Sequence, residues 1–282
     1  MNLHRFSPGI LFLSAGLALS LCGPLQAGEP SHYLPGATPI RGWALGPPGL
    51  YYEQFNIYYR SSDYQNDAGI ANPPRKSEQA GVSPTLVWVT QDPLWGAAFG
   101  LSGCICGDLL LQPLYLTWSG PRFDLTANYG LYVPTGAYQL NTTDVVGEGF
   151  WANQFQLSGS YYFDEAQASS LVLTLTYELN GQANDYDLTP GNHLTLEWGL
   201  DRYLTERFAV GLTGYGSWQV SDDRGVDALN PTVRDRVYAA GGELSYMIQK
   251  DRFFVFLRYL QEFAAQNRFE GGLTSLTLTY VF

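Results

Sequence analysis

Along most of the chain, apolar and polar residues alternate with a period of two, the pattern of strands whose successive side chains face opposite sides of a sheet. Leu171, Leu173, Leu175, Tyr177 and Leu179 fall on one face, and Thr174, Thr176, Glu178 and Asn180 on the other. The split recurs at Leu194, Leu196, Trp198 and Leu200 against Thr195, Glu197, Gly199 and Asp201. It recurs again at Phe123, Leu125, Ala127, Tyr129, Leu131 and Val133 against Asp124, Thr126 and Asn128. Further strands are expected over Leu50 to Tyr59, Val82 to Gln91, Trp95 to Cys104, Leu109 to Trp118, Phe150 to Phe163, Phe208 to Gln219, Val237 to Ile248, Phe253 to Phe263 and Gly271 to Phe282, about twelve in all. The registers of the second to fourth are open, because Val87-Trp88-Val89 and Leu109-Leu110-Leu111 are apolar throughout.

The connections alternate in length. Polar stretches at 60 to 81, 134 to 149, 181 to 193 and 220 to 236 are long; those near Asp92-Pro93, Ser119-Gly120, Asp164-Glu165, Thr205-Glu206 and Gln249-Lys250 are short. Two connections of the long series, Ile105 to Asp108 and Ala264 to Arg268, are brief. Short periplasmic turns alternating with longer outer loops belong to outer-membrane barrels. The expected fold is an all-β, transmembrane, antiparallel up-and-down barrel over 49–282, with an even strand number returning both termini to the periplasm. A soluble sandwich would have to leave too many Tyr and Leu in water.

Residues 1–27 read as a cleaved export signal: Arg5 is basic, Ile10 to Leu21 are apolar, and Leu25-Gln26-Ala27 ends in a small residue. Cys22 follows Leu21, where lipoprotein processing requires a small residue. Removing 1–27 takes out Arg5 alone among Lys and Arg, leaving 14 basic and 26 acidic residues and a formal charge of -12, which speaks against nucleic acid as a partner. After Ala27 no apolar run is long enough for a membrane-spanning helix, and a closed barrel is the other structure that satisfies its backbone in lipid. Residues 28–48, rich in Gly and Pro, either hang in the periplasm or enter the barrel mouth as a plug, with Trp43 and Leu45 as anchors. The closing strand places Leu276, Leu278, Tyr280 and Phe282 on one side. Tyr280 and the terminal Phe282 thereby resemble the outer-membrane targeting signal read by the barrel-assembly machinery.

Candidate chemistry is sparse. By parity the lumen receives Asp124, Glu178, Glu197, Asp201, Glu243, Arg258 and Glu262. Six acids and one Arg in a narrow space require water, compensating hydrogen bonds or raised carboxylate pKa values. Arg258 and Glu262 share a face but lie too far apart along the strand for an easy pair. His193-Leu194-Thr195 faintly resembles the His and Ser of barrel phospholipases, with Thr in place of Ser and both residues lumenal. The expectation there is an ordinary loop-edge His. Cys104 and Cys106 fall in a tight turn and could pair in an oxidising compartment; a metal site would need further ligands. Asp222, Asp223 and Asp227 supply oxygens suited to a divalent ion, but a solvated outer loop near lipopolysaccharide is the simpler account of them. No catalytic, cofactor or metal residue is assigned.

The segment GLDRYLTERFAVGLTGYGSWQVSDDRG, from Gly199 to Gly225, resembles the family of outer-membrane proteins named for the MetA pathway of phenol degradation. So does Arg236 to Phe282, with Ala239-Ala240-Gly241-Gly242, Gln261-Glu262-Phe263 and Asn267-Arg268-Phe269-Glu270-Gly271, and Pro47-Pro48-Gly49-Leu50-Tyr51-Tyr52 fits the entry to that family's first strand. The resemblance implies a barrel in the lipid bilayer that passes small hydrophobic or aromatic solutes, and it supplies no functional residues to carry over. The alternative is a structural or adhesive surface protein whose acidic loops are its working parts; a membrane-embedded hydrolase would need a nucleophile and base not found here.

Overall fold

In the computed structural model, residues 31–71, 76–138, 147–228 and 230–282 are described. The expected signal segment, residues 1–27, lies outside them, as do residues 28–30. The strands are β1 (Gly49–Gln65), β2 (Ser77–Val89), β3 (Ala98–Cys106), β4 (Asp108–Gly120), β5 (Phe123–Val133), β6 (Phe150–Tyr162), β7 (Ser169–Ala183), β8 (His193–Tyr203), β9 (Phe208–Gln219), β10 (Arg236–Gln249), β11 (Phe253–Gln266) and β12 (Arg268–Val281). Each pairs antiparallel with its neighbours in sequence, and β1 pairs with β12 to close a twelve-stranded barrel.

The faces are inverted relative to a soluble protein. On β7, Leu173 is 48 % exposed and the adjacent Thr174 is 1 % exposed. Leu196, Trp198 and Leu200 of β8 are likewise exposed, while Thr195, Glu197 and Asp201 are buried. A barrel with its polar residues inside and Leu, Trp and Tyr outside is stable only where lipid wets the outer wall. Closure also removes the open edges that would otherwise template aggregation.

The ambiguous registers resolve, with a shift within β4 between Leu111 and Leu114. Val87, Val89 and Leu110 turn inward, and Trp88 and Leu111 outward. Several boundaries differ from the sequence expectation. The first strand runs on to Gln65 and the second begins at Ser77, so much of the expected loop from 60 to 81 is a β1–β2 hairpin extended by Arg60 to Ser61 pairing with Ser77 to Glu78. The polar residues of this extension carry no apolar alternation, which is why pattern alone ends the strands early.

The wall is uneven beside that hairpin. β2 pairs with β1 along its whole length but with β3 only from Thr85 to Val89. Pro84, which has no N–H to donate, falls where the β3 pairing stops, and Pro113 falls at the β4 irregularity between Leu111 and Leu114. The β3–β4 turn at Gly107 tops a short hairpin carrying the Cys104–Cys106 disulfide, and the Ser83 hydroxyl of β2 lies 2.8 Å from Cys104 Sγ and 3.0 Å from Cys106 Sγ.

Candidate functional site

Residues 31–48 run through the lumen. Leaving β1 at the short-turn end, the segment meets Thr117 through the Leu45 N–H at 3.1 Å, and the Trp43 carbonyl accepts the Tyr115 hydroxyl at 2.9 Å. Arg41 grips Asp201, with Nε 2.6 Å and Nη2 3.1 Å from the two carboxylate oxygens, while Nη1 donates to the Gln167 carbonyl of the β6–β7 turn. The guanidinium also lies over the rings of Tyr203 and Tyr162. At the other end, His32 Nε2 is 3.1 Å from Asp108, beside the turn at Gly107. The described start of the segment is therefore at the long-loop end, not on the periplasmic side where an even strand count alone would leave it.

Every lumen-facing residue named from parity has an identifiable partner. Glu178 accepts the backbone N–H groups of His32 and Tyr33 at 2.9 and 2.8 Å. Glu197 accepts the Tyr33 hydroxyl and, at 3.2 Å, the Gly36 N–H. Glu243 accepts the Ile40 N–H and pairs with Arg258, whose Nη2 and Nε stand 2.5 and 2.9 Å from one carboxylate oxygen. Arg258 Nη1 in turn donates to the Gly36 carbonyl at 3.0 Å. Glu262 accepts the Tyr59 and Tyr215 hydroxyls, both at 2.7 Å, and the Gly271 N–H. Asp124 accepts the Tyr162 hydroxyl, and Asp201 also accepts that of Ser170. Buried carboxylates without such donors would carry a large desolvation cost. The segment supplies a good part of the donors.

Packing reinforces the polar contacts. Ile40 is buried against Gly199 and Gly211, and a Cβ on either glycine would come within 2.7 or 2.5 Å of its side chain. Only a bare backbone admits Ile40 at those two points. Trp43 is buried nearby with Val172.

His193 stands at the loop edge, as expected, but is not solvated there. It opens β8, is buried, and its Nε2 pairs with Asp235 at 3.1 Å, with Arg268 on the second oxygen of Asp235. Thr195 shares a hydrogen bond with Ser217 at 2.9 Å, across the β8–β9 pair. The outer acids are engaged separately: Asp222 with Arg234, Asp223 with the Gly191 N–H and Gln219, and Asp227 with the Asp187 N–H. Tyr280 and Phe282 lie at the short-turn end with ring centroids 5.1 Å apart, Phe282 being exposed.

Sequence reasoning missed His32, Tyr33 and Arg41. No periodicity marks them, since the segment has no regular secondary structure. The available signal was a charge deficit, six parity-placed acids against one Arg.

Beside the inserted segment a cavity of about 960 Å³ remains. Its opposite wall is largely apolar, with Phe55 and Ile57 of β1, Val87 of β2, and Phe254 and Phe256 of β11. It extends to Val82 and Ser83 of β2 and to Cys106, where the β2–β3 pairing has ended.

The fold recurs in a solved structure. An outer membrane channel from Pseudomonas putida F1 superposes with a TM-score of 0.77 at 12 % identity, covering 87 % of this chain and 100 % of that one. A loop-deletion mutant of OmpT, an outer membrane protein of Vibrio cholerae, matches with a TM-score of 0.46 at 7 % identity over 83 % of this chain and 98 % of that one. No curated protein matches the chain in sequence. Residues 94–278 match the profile of the family described as "Putative MetA-pathway of phenol degradation", which takes in β3 through most of β12, and the chain belongs to that family.

Proposed function

We propose that this barrel is an outer-membrane channel for small apolar or aromatic compounds, in which residues 31–48 form a fixed plug that narrows the lumen to one apolar side. The observation that carries this reading is the division of the interior. The segment satisfies the carboxylates of β4, β7, β8 and β10 and leaves open a cavity walled by Phe55, Ile57, Val87, Phe254 and Phe256. Twelve strands lie between the side-chain-filled barrel of about eight and the aqueous pore of about sixteen, a size suited to selective passage. The reach of the cavity to Val82 and Ser83, just past the point where β2 stops pairing with β3, gives apolar solutes a way between lumen and lipid. The channel of P. putida and the family's name support the same direction. Tyr280 and Phe282 serve in this reading as the assembly signal.

The test is uptake by a deletion strain and by vesicles holding the purified barrel. Faster entry of small aromatic compounds than of sugars of equal size is expected, and equal entry with and without the protein overturns the reading. The interlocked β7–β8 and β9–β10 connections, joined by Thr189 and Arg224 and by Asp187 and Asp227, favour a second reading, a rigid surface protein presenting acidic loops to lipopolysaccharide or a partner. A folded barrel that neither conducts nor admits any solute would support it.

A further inference from the structure

Glu53 is treated differently from the acids gripped by the plug. Asp108, Glu178, Glu197, Asp201 and Glu243 each receive an N–H group or a cation from residues 32–41. Among the described residues Glu53 receives one hydrogen bond, from the Thr279 hydroxyl at 3.4 Å, well beyond a good O–H···O distance. Its cross-strand partner Thr85 is only 6 % exposed, and the Thr85 Oγ1 has no hydrogen-bond partner among the described residues. Both side chains line the open cavity.

Strand register fixes what surrounds them. Phe55 follows Glu53 on the lumen face of β1, the row through Glu53 crosses Thr279 to Phe254, and the row through Phe55 crosses Thr277 to Phe256. The carboxylate thus rises from a wall of phenyl rings and methyl groups. An ionised carboxylate in such a place calls for an opposite charge, and phenyl faces attract cations. A neutral apolar solute answers neither the acid nor the Thr85 hydroxyl. A protonated amine on an aromatic or alkyl body answers both: its N–H groups donate to Glu53 and Thr85, its charge lies near the rings, and its body covers Phe254 and Phe256.

We propose that Glu53, Thr85, Phe55, Phe254 and Phe256 form a binding site for organic amine cations on the open side of the lumen. The site names a solute class for the channel reading above and rests on that cavity being open to solutes. Calorimetry on the folded full-length barrel in detergent at pH 7 tests it with benzylamine and benzyl alcohol, which differ in charge and little in shape. Benzylamine should bind at least about tenfold more tightly than the alcohol, the scale of one charge-assisted hydrogen bond. Glu53→Gln should remove that preference, and Thr85→Val should reduce it. Equal binding of the two probes by the wild-type barrel, or an undiminished preference in E53Q, overturns the proposal; should E53Q not fold, the wild-type comparison and T85V decide it. Vesicle entry of benzyl alcohol is read separately. Entry without amine preference sinks the site alone, and amine binding without entry of any solute sinks the channel alone.

Discussion

His32 Nε2 lies 3.1 Å from the Asp108 carboxylate, and the same carboxylate accepts the N–H groups of Gly136 and Glu148 at 2.7 and 2.8 Å. The outer end of the inserted segment and the β5–β6 connection are thus fastened to one side chain. The His32 ring is also stacked on Tyr132, with centroids 4.5 Å apart, and meets Phe150 edge-on. A cation held between two acids and two rings is a latch whose strength depends on its proton.

Burial alone would lower the His32 pKa, but hydrogen bonds to Asp108 and Glu178 outweigh it and raise the value from 6.5 to about 9. The docked segment therefore binds the proton more tightly than a released one would. Its contribution to docking is complete below pH 6.5 and is lost as pH rises through about 9. Hydrogen exchange over residues 31–45, corrected for intrinsic rates, should accelerate across that window. His32→Ala should abolish the pH dependence, and a wild-type profile flat to pH 10 would refute the latch.

The Arg258–Glu243 pair joins β11 to β10 with both side chains almost wholly buried. Removing one partner strands a charge, so Arg258→Met should destabilise the barrel by about 3–5 kcal/mol, whereas Arg258→Met with Glu243→Leu should recover much of the loss. Urea unfolding from phospholipid vesicles measures both. Equal losses in the single and double variants would show that the plug contacts, through Gly36 and Ile40, outweigh the pair itself.

Leu175 sits near the middle of β7 and is 42 % exposed. If lipid covers it, Leu175→Arg should cost about 2–4 kcal/mol of folding free energy in vesicles, and Leu175→Phe should cost little. In a water-soluble protein the arginine would be tolerated or would improve solubility, so a neutral outcome contradicts the lipid-facing assignment.

The alternation of Leu173, Thr174, Leu175 and Thr176 already determined which side chains share a face, because residue parity in a strand is local geometry. The number of alternating segments gave the strand number, the rhythm of short and long connections agreed with it, and an oily exterior with a polar interior followed. Local pattern could not say where the polar hairpin at Ser61 and Ser77 ends, nor that His193 would meet Asp235 across a loop. It could not place residues 31–48 either, since a segment without periodicity carries no register. Those outcomes belong to the closed barrel: only when β1 meets β12 do Glu178, Glu197, Asp201 and Glu243 converge on one enclosed space, and their need for donors then draws in His32, Tyr33 and Arg41. Desolvation inside a completed wall is a property of the whole assembly, so the lumen's occupant and the side left open were decided by tertiary structure.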